Sequence, residues 1–193
     1  MSWNHNVHYH DIVIGAIPLG CQHALDVGCG RGALARKLAQ RCYEVVAIDV
    51  DQECLDFAKA VPQMNPNIIF LQGDLFESLP EESFDFVAAV ATLHHLPLRS
   101  ALRRFRGLLR PGGVLAVVGL YRLATPVDYT IASVALPVSR IVRALIGEDD
   151  VGAPLQDPKE PLVEIRAACE ALLPGGIFRC RLFFRYSFVW RKP

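Results

Sequence analysis

The sequence predicts an α/β fold in which a doubly wound, mostly parallel sheet carries helices on both faces. From His23 onward, short apolar runs alternate with longer segments of helical period. The apolar runs are too uniformly hydrophobic for one face to meet water, which indicates strands buried on both sides. The late segment GGIFRCRLFFRYSFVWRK holds two strand-like runs, and their short link favours an antiparallel pair. The 193 residues suit one domain with a full hydrophobic core.

The elements alternate regularly along the chain. The first five predicted strands are HALDV, EVVAID, NIIFLQ, FDFVAAV and GVLAVVGL, in that order. The predicted helices are GALARKLAQR, QECLDFAKAV, RSALRRFRGLL and LVEIRAACEALLP. The first helix places Leu34 and Leu38 on one face, and the turn residues Pro62, Asn65 and Pro66 precede the third strand. This order is that of strand–helix–strand units, whose strands run parallel.

The alternation stops after Leu120. Residues 121–160 carry four prolines around the amphipathic segment YTIASVALPVSRIVRALIG. Its apolar residues recur at helical spacing and are interrupted by Pro137. The segment is too short to hold a core of its own. We therefore interpret it as an insertion into a single domain that spans residues 1–193.

The charge balance argues against nucleic acid as a partner. Lys+Arg and Asp+Glu number 20 each, so no net charge attracts a polyanion. The one basic run, RSALRRFRGLLR, has apolar residues interleaved at helical spacing, which indicates a solvated helix face.

Cysteine use and hydropathy predict a cytoplasmic protein. Six cysteines without a C-x-x-C pair are typical of small buried thiols in a reducing compartment. No stretch approaches the ~18 uninterrupted apolar residues of a membrane span. The amino-terminal residues also lack the basic region and apolar run of a signal peptide.

The clearest chemical signal is the segment LDVGCGRGALA. A strand ends near Asp26, a loop presents Gly28, Gly30 and Gly32, and a helix follows. Such glycines let a backbone turn sharply and approach a ligand closely. Gly28, Gly30 and Ala33 also fit the nicotinamide-dinucleotide pattern G-x-G-x-x-G/A, so the loop alone is ambiguous.

Asp49, about twenty residues later, is compatible with a nicotinamide dinucleotide and also with other ligands that carry a ribose. A carboxylate at the end of the second strand can accept hydrogen bonds from two ribose hydroxyls, and it would repel a 2′-phosphate. An NADP-binding site is therefore not expected.

Three further features help to distinguish a nicotinamide-dinucleotide site from a site for another ligand. Asp26 lies just before the first glycine, where a negative charge would not favour pyrophosphate but would favour an ammonium group. In GDLF, Asp74 can accept from an exocyclic adenine amine while the Leu75 N–H donates to the neighbouring ring nitrogen. The segment LLRPGGVL ends a helix and begins the fifth strand.

The series LDVGCGRG, VVAIDVD, QGDLFE, FDFVAAVATLHHL and LLRPGGVLAVV resembles the class I S-adenosylmethionine-dependent methyltransferases. The subgroup it looks like is bacterial and methylates small molecules. The resemblance implies a Rossmann-like seven-stranded sheet with an antiparallel last strand. It also implies S-adenosyl-L-methionine as the cofactor and S-adenosyl-L-homocysteine as its product.

The resemblance implies a role for each matching position. The loop residues Gly28, Cys29, Gly30 and Gly32 would line the methionine part of the cofactor, and Asp26 would fix that loop and face the ammonium. Asp49 would hold the ribose hydroxyls. Val50 would pack on the adenine, whose edge Asp74 and Leu75 would read. Val90 and Ala91 would lie near the sulfur.

The opening WNHNVHYHD groups His5, His8 and His10, which could bind a metal, take part in chemistry or close the pocket. Three histidines without a fixed carboxylate or cysteine partner make a poor metal site, so no metal is expected. The resemblance implies that residues 1–22 form a lid over the cofactor pocket. In that lid Trp3, Asn6, His8 and Tyr9 would exclude water.

Methyl transfer from a sulfonium needs mainly an in-line approach of the nucleophile, and a base only for a protonated acceptor. The sequence alone does not identify a catalytic residue. His94 and His95, just beyond the fourth strand, are candidates for a base, and the alternative is that both are hydrogen-bonded loop residues.

The acceptor is expected to be a small molecule that docks against residues 121–160. Tyr121, Tyr129 and the apolar face suggest a hydrophobic or aromatic acceptor, although the same face could simply pack on the sheet. Arg140 and Arg143 beside that face leave contact with a membrane surface as a third alternative. Two further functions stay open: an NAD-dependent oxidoreductase, and a non-catalytic regulatory module that binds S-adenosylmethionine.

Overall fold

The computed structural model describes residues 9–61, 66–77, 79–124, 158–181 and 184–193. Within them lie seven strands in one sheet, in the spatial order β3-β2-β1-β4-β5-β7-β6. The strands are β1 His23–Val27, β2 Glu44–Asp49, β3 Ile68–Gln72, β4 Phe84–Val90, β5 Leu109–Leu120, β6 Ile177–Arg181 and β7 Arg185–Arg191. The helices are α1 His10–Ile14, α2 Ala33–Leu38, α3 Gln52–Ala60, α4 Leu98–Leu108 and α5 Leu162–Leu172, with a short 3₁₀ helix at Leu93–His95.

The sheet is parallel from β3 to β5 and antiparallel beyond. Strand β1 pairs in parallel with both β2 and β4, and β4 pairs in parallel with β5. Strand β7 runs antiparallel to both β5 and β6. The predicted fold class is therefore confirmed, including the antiparallel end. One edge of the sheet consequently gathers the carboxyl ends of β1 to β5 and the amino end of β7.

Most predicted boundaries agree with the structure, and β5 is the main exception. The prediction began this strand at Gly113, but it begins at Leu109, which pairs with Phe84. A register shift between Phe84 and Phe86 absorbs the Pro-Gly-Gly turn, and Gly112 has a φ of +79°. A bulge of this kind keeps a strand continuous through residues that would otherwise end it.

Two hydrophobic clusters cover the two faces of the sheet. One packs α4 and α5 against it through Phe105, Leu108 and Ile165. The other packs α1, α2 and α3 through Val13, Leu38 and Leu55. Strands β1 and β4 lie between the two clusters, which explains their nearly uniform apolar sequence.

Two short elements were missing from the prediction. Helix α1 has five residues, too few to show a helical period, and it buries His10 and Val13. The 3₁₀ helix follows β4 directly and buries Leu93 and His94. Both elements lie beside the edge where the strands end, so they contribute to the site described below.

The ends of the predicted insertion meet in space. The Arg122 N–H donates to the Glu160 carbonyl at 2.9 Å, and Arg122 Nε donates to the Lys159 carbonyl at 2.9 Å. Tyr121 is buried in the same region. Tyr129, Arg140 and Arg143 lie outside the described residues, as do Trp3, His5, Asn6 and His8.

Candidate functional site

The loop between β1 and α2 depends on its glycines. Gly28, Gly30 and Gly32 have φ values of +68°, +50° and +73°, which side-chain-bearing residues rarely adopt. A Cβ at Gly28 would overlap the side chain of Thr92. A Cβ at Gly32 would come within 2.9 Å of the Phe70 ring. The sequence therefore forms a tight turn that is packed against the end of β4.

Asp49 holds the tip of this loop. Its carboxylate accepts from the Gly30 N–H at 2.7 Å and from the Asp51 N–H at 3.0 Å. At the base of the loop, the N–H groups of Gly28 and Cys29 both donate to the Ile48 carbonyl, at 2.9 and 3.0 Å. The carboxylate is only half-buried, so it also faces the space above the loop.

A cavity of about 340 Å³ lies against the loop and the ends of β1, β2 and β4. A volume of this size is typical of sites for small molecules and cofactors. The predicted site residues that line it are Asp26, Gly28, Cys29, Gly30, Asp49, Val50, Asp74, Leu75, Val90, Ala91 and His95. Three predicted residues that the structure describes do not line it: Tyr9, Gly32 and His94. Gly32 instead occupies the N-cap position of α2, and Trp3 lies outside the described residues.

Asp26 brings a buried carboxyl group to the floor of the cavity. It is 1% exposed, and its Oδ2 atom has no hydrogen-bond partner among the described residues. Burial, reinforced by the negative charge of Asp49, raises the pKa of Asp26 to about 7, and a backbone hydrogen bond from Ala35 acts in the opposite direction. An unpaired carboxyl oxygen in this position is suited to a cationic ligand group.

The opposite end of the cavity is formed by Val50 and by the loop after β3. Val50 is 67% exposed although it is apolar. Asp74 Oδ1 accepts from the Phe76 N–H at 2.8 Å, while the Leu75 N–H donates to none of the described residues. An apolar surface thus lies beside a carboxylate and a backbone N–H. These two polar groups can form hydrogen bonds with the edge of a flat heterocycle.

Arg104 fixes the loop that carries Leu75. Its Nε donates to the Leu75 carbonyl at 3.1 Å, and its Nη2 donates to the Leu79 carbonyl. Its side chain is only 18% exposed. The prediction of a fully solvated basic face on α4 is therefore wrong at Arg104, because this arginine satisfies backbone carbonyls that would otherwise lack donors.

The paired histidines occupy different environments. The rings of His94 and His95 lie 3.9 Å apart, but only His95 lines the cavity. Burial lowers the pKa of His94 to about 4, with smaller contributions from His95 and Arg185. Burial likewise lowers the pKa of His10, which also lines the cavity, to about 4. Both imidazoles are therefore neutral near pH 7 and weak as bases.

Several lining residues were not predicted from the sequence, among them Arg31, Asp51, Cys54, Thr92 and Leu96. Thr92 directly follows the predicted Val90 and Ala91, and Ala91 adopts a φ of +55°. The Ala91 N–H donates to the Val118 carbonyl at 2.8 Å, which turns the chain toward the cavity. The signal that could have revealed Thr92 is therefore its place just after a strand end.

The described residues show no group of His, Cys, Asp or Glu side chains arranged to hold a metal ion. In the same part of the chain, no helix is long and apolar enough to cross a membrane. All six cysteines are free thiols, and only Cys180 is exposed.

Comparison with known proteins gives a consistent result. A family described as "Methyltransferase domain" matches residues 25–117. An uncharacterized methyltransferase of Mycobacterium bovis is 38% identical over 196 residues, which cover 99% of this chain and 98% of that protein. A trans-aconitate 2-methyltransferase of Methylobacterium radiotolerans is 34% identical over 153 residues, covering 77% of this chain and 57% of that protein. The crystal structure of a SAM-dependent methyltransferase from Aquifex aeolicus superposes with a TM-score of 0.64 at 18% identity, covering 95% of this chain and 89% of that one.

The fold, the cavity beside the glycine loop and these comparisons define an enzyme that transfers methyl groups. The chain belongs to the class I S-adenosylmethionine-dependent methyltransferases. Of the alternatives that the sequence left open, the NAD-dependent oxidoreductase and the non-catalytic module are thereby set aside.

Proposed function

We propose that the cavity binds S-adenosylmethionine and that the enzyme transfers its methyl group to a small-molecule acceptor. The observation that carries this proposal is the buried Asp26 carboxyl, whose Oδ2 atom has no partner in the described part of the chain. Asp26 precedes a loop whose tip is held by a hydrogen bond to Asp49. A cofactor with an ammonium group at one end and a ribose near its middle matches those two carboxylates.

The residues of the cavity fit this cofactor along its length. Asp26 would face the ammonium, and the loop of Gly28 and Gly30 would follow the amino-acid part. Asp49 keeps free lone pairs on both oxygens beyond its two backbone bonds, and these would accept from the ribose hydroxyls. At the far end, the exposed apolar surface of Val50 would support the adenine, with Asp74 and Leu75 at its edge.

The bound cofactor supplies a methyl group on a positive sulfur, whose leaving group is a neutral thioether. The protein then has to place the acceptor in line and keep water out. Val90, Ala91 and Leu96 form the wall on the β4 side and are suited to excluding water. Of the two histidines, His95 reaches the cavity and is the candidate for accepting a proton, whereas His94 supports its ring from behind.

A small-molecule acceptor is supported by the relatives, one of which is named for trans-aconitate. The expected hydrophobic or aromatic character of the acceptor rests on residues 121–160, most of which the structure does not describe. The amino-terminal lid is supported at one described position, since His10 contributes directly to the cavity wall.

The location of the cofactor can be tested with a matched pair of exposed apolar residues. Val50 lines the cavity, whereas Leu19 is fully exposed and does not line it. We expect Val50→Asp to weaken binding of S-adenosylhomocysteine at least tenfold by isothermal titration, because a charge would face the adenine. Leu19→Asp should leave the Kd unchanged. Equal affinities of both variants and the wild type would place the cofactor elsewhere.

A further inference from the structure

A second polar cluster lies beside the cofactor cavity and is left unused by the proposed cofactor contacts. We define the Arg185 cluster as Tyr9, His10, His94 and Arg185. The Arg185 guanidinium carbon lies 5.7 Å from the centre of the Tyr9 ring. Electrostatic interactions couple Arg185 to both Tyr9 and His94.

Arg185 carries a buried charge that no carboxylate among the described residues neutralises. It is 8% exposed, and its Nε and Nη1 atoms have no hydrogen-bond partner among the described residues. No carboxylate in that part of the chain forms an ion pair with it. A buried guanidinium without an anion is strongly unfavourable, so an anionic ligand at this position would stabilise it.

The strand pairing adds to this imbalance. Arg185 is the direct partner of Arg181 across the β6–β7 pair, so two cations share one cross-strand position. Like charges in such positions destabilise a sheet. Arg181 Nε donates to Ser187 Oγ at 2.9 Å, whereas Nε and Nη1 of Arg185 have no hydrogen-bond partner among the described residues.

The other members of the cluster add no negative charge. The side-chain Nδ1 atoms of His10 and His94 are buried and have no partner among the described residues. Both rings are neutral near pH 7, as described above, so each can donate to or accept from a bound group. Three side chains more than nine-tenths buried therefore present unsatisfied nitrogen atoms.

Two routes connect the Arg185 cluster to the cofactor cavity. His10 follows Tyr9 in the chain and lines the cavity wall. His94 contacts His95, which lines the cavity from the β4 side. Tyr9, His94 and Arg185 do not themselves line the cavity, so a ligand that extends from the cavity to Arg185 would pass His10 or His95.

The position of Arg185 favours a second ligand over the cofactor itself. Arg185 begins β7 opposite Leu120, at the edge where β4 and β5 also end. Strand β7 lies two strands from β4, a separation of roughly 10 Å. The cofactor residues proposed above lie at the ends of β1 to β4, whereas Arg185 lies two strands beyond β4.

We propose that Arg185 recognises a carboxylate on the methyl acceptor, so that the substrate is a small organic acid. This inference rests on the proposed function, because it assigns the acceptor side of the same site. A planar guanidinium pairs with a carboxylate through two parallel hydrogen bonds, and Tyr9 and His94 flank the place where that group would sit. Arg185 is then a specificity-determining residue.

The first test measures acceptor binding by protein that is saturated with S-adenosylhomocysteine. The probes are benzoate, octanoate and trans-aconitate, with benzamide and octanamide as neutral counterparts. We expect at least one carboxylate to bind, any amide to bind at least tenfold more weakly than its acid, and Arg185→Gln to weaken carboxylate binding at least tenfold. If the cofactor product binds but no carboxylate does, or if acids and amides bind alike, the inference fails while the proposed function stands.

A second arm separates the acceptor from the cofactor's own carboxylate. Arg185→Gln should leave the Kd of S-adenosylhomocysteine within twofold of the wild-type value. A loss of affinity for S-adenosylhomocysteine, with unchanged affinity for methylthioadenosine, would assign Arg185 to the cofactor and overturn the inference. Arg191→Gln, on the exposed end of the same strand, is the matched control and should change neither Kd.

Two further measurements keep the test decisive if the glutamine variant folds poorly. Arg185→Lys retains the charge but loses the planar fork, so it should weaken carboxylate binding severalfold without affecting the cofactor product. Arg185→Met should raise the melting temperature of the ligand-free protein, since it removes an uncompensated buried charge. A lower melting temperature, together with wild-type carboxylate binding by Arg185→Lys, would identify Arg185 as purely structural.

Discussion

The Asp49 carboxylate accepts a hydrogen bond of 2.7 Å from the Gly30 N–H, which ties the end of β2 to the tip of the loop that follows β1. The same carboxylate has the lone pairs needed for a ribose diol. One side chain therefore both shapes the loop and offers a ligand contact. We expect Asp49→Asn to weaken S-adenosylhomocysteine binding about 10–100-fold, the effect of losing hydrogen bonds to a charged group.

Isothermal titration with Asp49→Asn and Asp56→Asn checks this prediction. Asp56 lies on the exposed face of α3 and does not line the cavity, so its substitution changes the net charge equally without touching the site. Equal affinities in the two variants would contradict a direct role of Asp49.

Gly28 can be compared with Gly20, because both have a φ near +70°. A Cβ at Gly20 would meet open space, whereas a Cβ at Gly28 would overlap Thr92. Gly20→Ala should therefore cost only the backbone strain of about 1 kcal/mol. Gly28→Ala should cost that strain plus the steric overlap, roughly 1–3 kcal/mol more.

Chemical denaturation of both variants measures this difference. The double variant with Gly28→Ala and Thr92→Ala should recover most of the additional loss of stability. If Gly28→Ala and Gly20→Ala are equally stable, the loop is not packed against Thr92 as described.

The raised pKa of Asp26 should make the stability of the ligand-free protein fall as the pH rises, whereas the affinity for the ligand should rise. Its folded-state pKa of about 7 lies above its ordinary value, so the folded protein holds the proton more tightly than the unfolded chain does. The stability that Asp26 contributes is fully present below about pH 4 and is lost as the pH rises through about 7. Over that range the change is on the order of 4 kcal/mol. A bound ammonium group favours the ionised carboxyl, so affinity for S-adenosylhomocysteine should rise between about pH 5.5 and 7.5.

The difference between wild type and Asp26→Asn isolates this contribution. Near pH 7.5 the ligand-free asparagine variant should be the more stable of the two, yet it should bind S-adenosylhomocysteine more weakly. Parallel stability curves for the two proteins would show that Asp26 does not hold its proton in the folded state.

The lowered pKa of His94 should make the stability of the protein fall as the pH decreases, which is the opposite of the Asp26 effect. Its folded-state pKa of about 4 lies below its ordinary value, so the unfolded chain takes up a proton that the folded protein does not. The stability that His94 contributes is present above about pH 6.5 and is lost as the pH falls toward 4, by roughly 2–3 kcal/mol. His94→Gln should therefore lose less stability than wild type between pH 7 and pH 4. His23→Gln, at a partly exposed position, is the control, and acid unfolding curves that coincide for all three proteins would contradict the prediction.

The sequence predicted those parts of the structure that local patterns determine. Strands β1 and β4 are recognisable in the sequence as apolar runs, because both of their faces are buried. The glycine loop and Asp49 are likewise recognisable, since their spacing along the chain reflects one turn and one strand. Neither inference requires knowing which distant segments meet.

The remaining features depend on contacts between distant segments. Thr92 fills the space that Gly28 leaves, and Arg104 satisfies carbonyls of the loop after β3. Arg185 lies next to Tyr9 because β7 inserts between β5 and β6. The sequence around a basic residue in a terminal strand gives no local sign that the side chain will be buried.

Isothermal titration of the wild-type protein with S-adenosylhomocysteine and with NAD tests the central claim most directly. We expect saturable one-to-one binding of S-adenosylhomocysteine and no measurable heat with NAD. No binding of S-adenosylhomocysteine, or tighter binding of NAD, would contradict the assignment of this cavity.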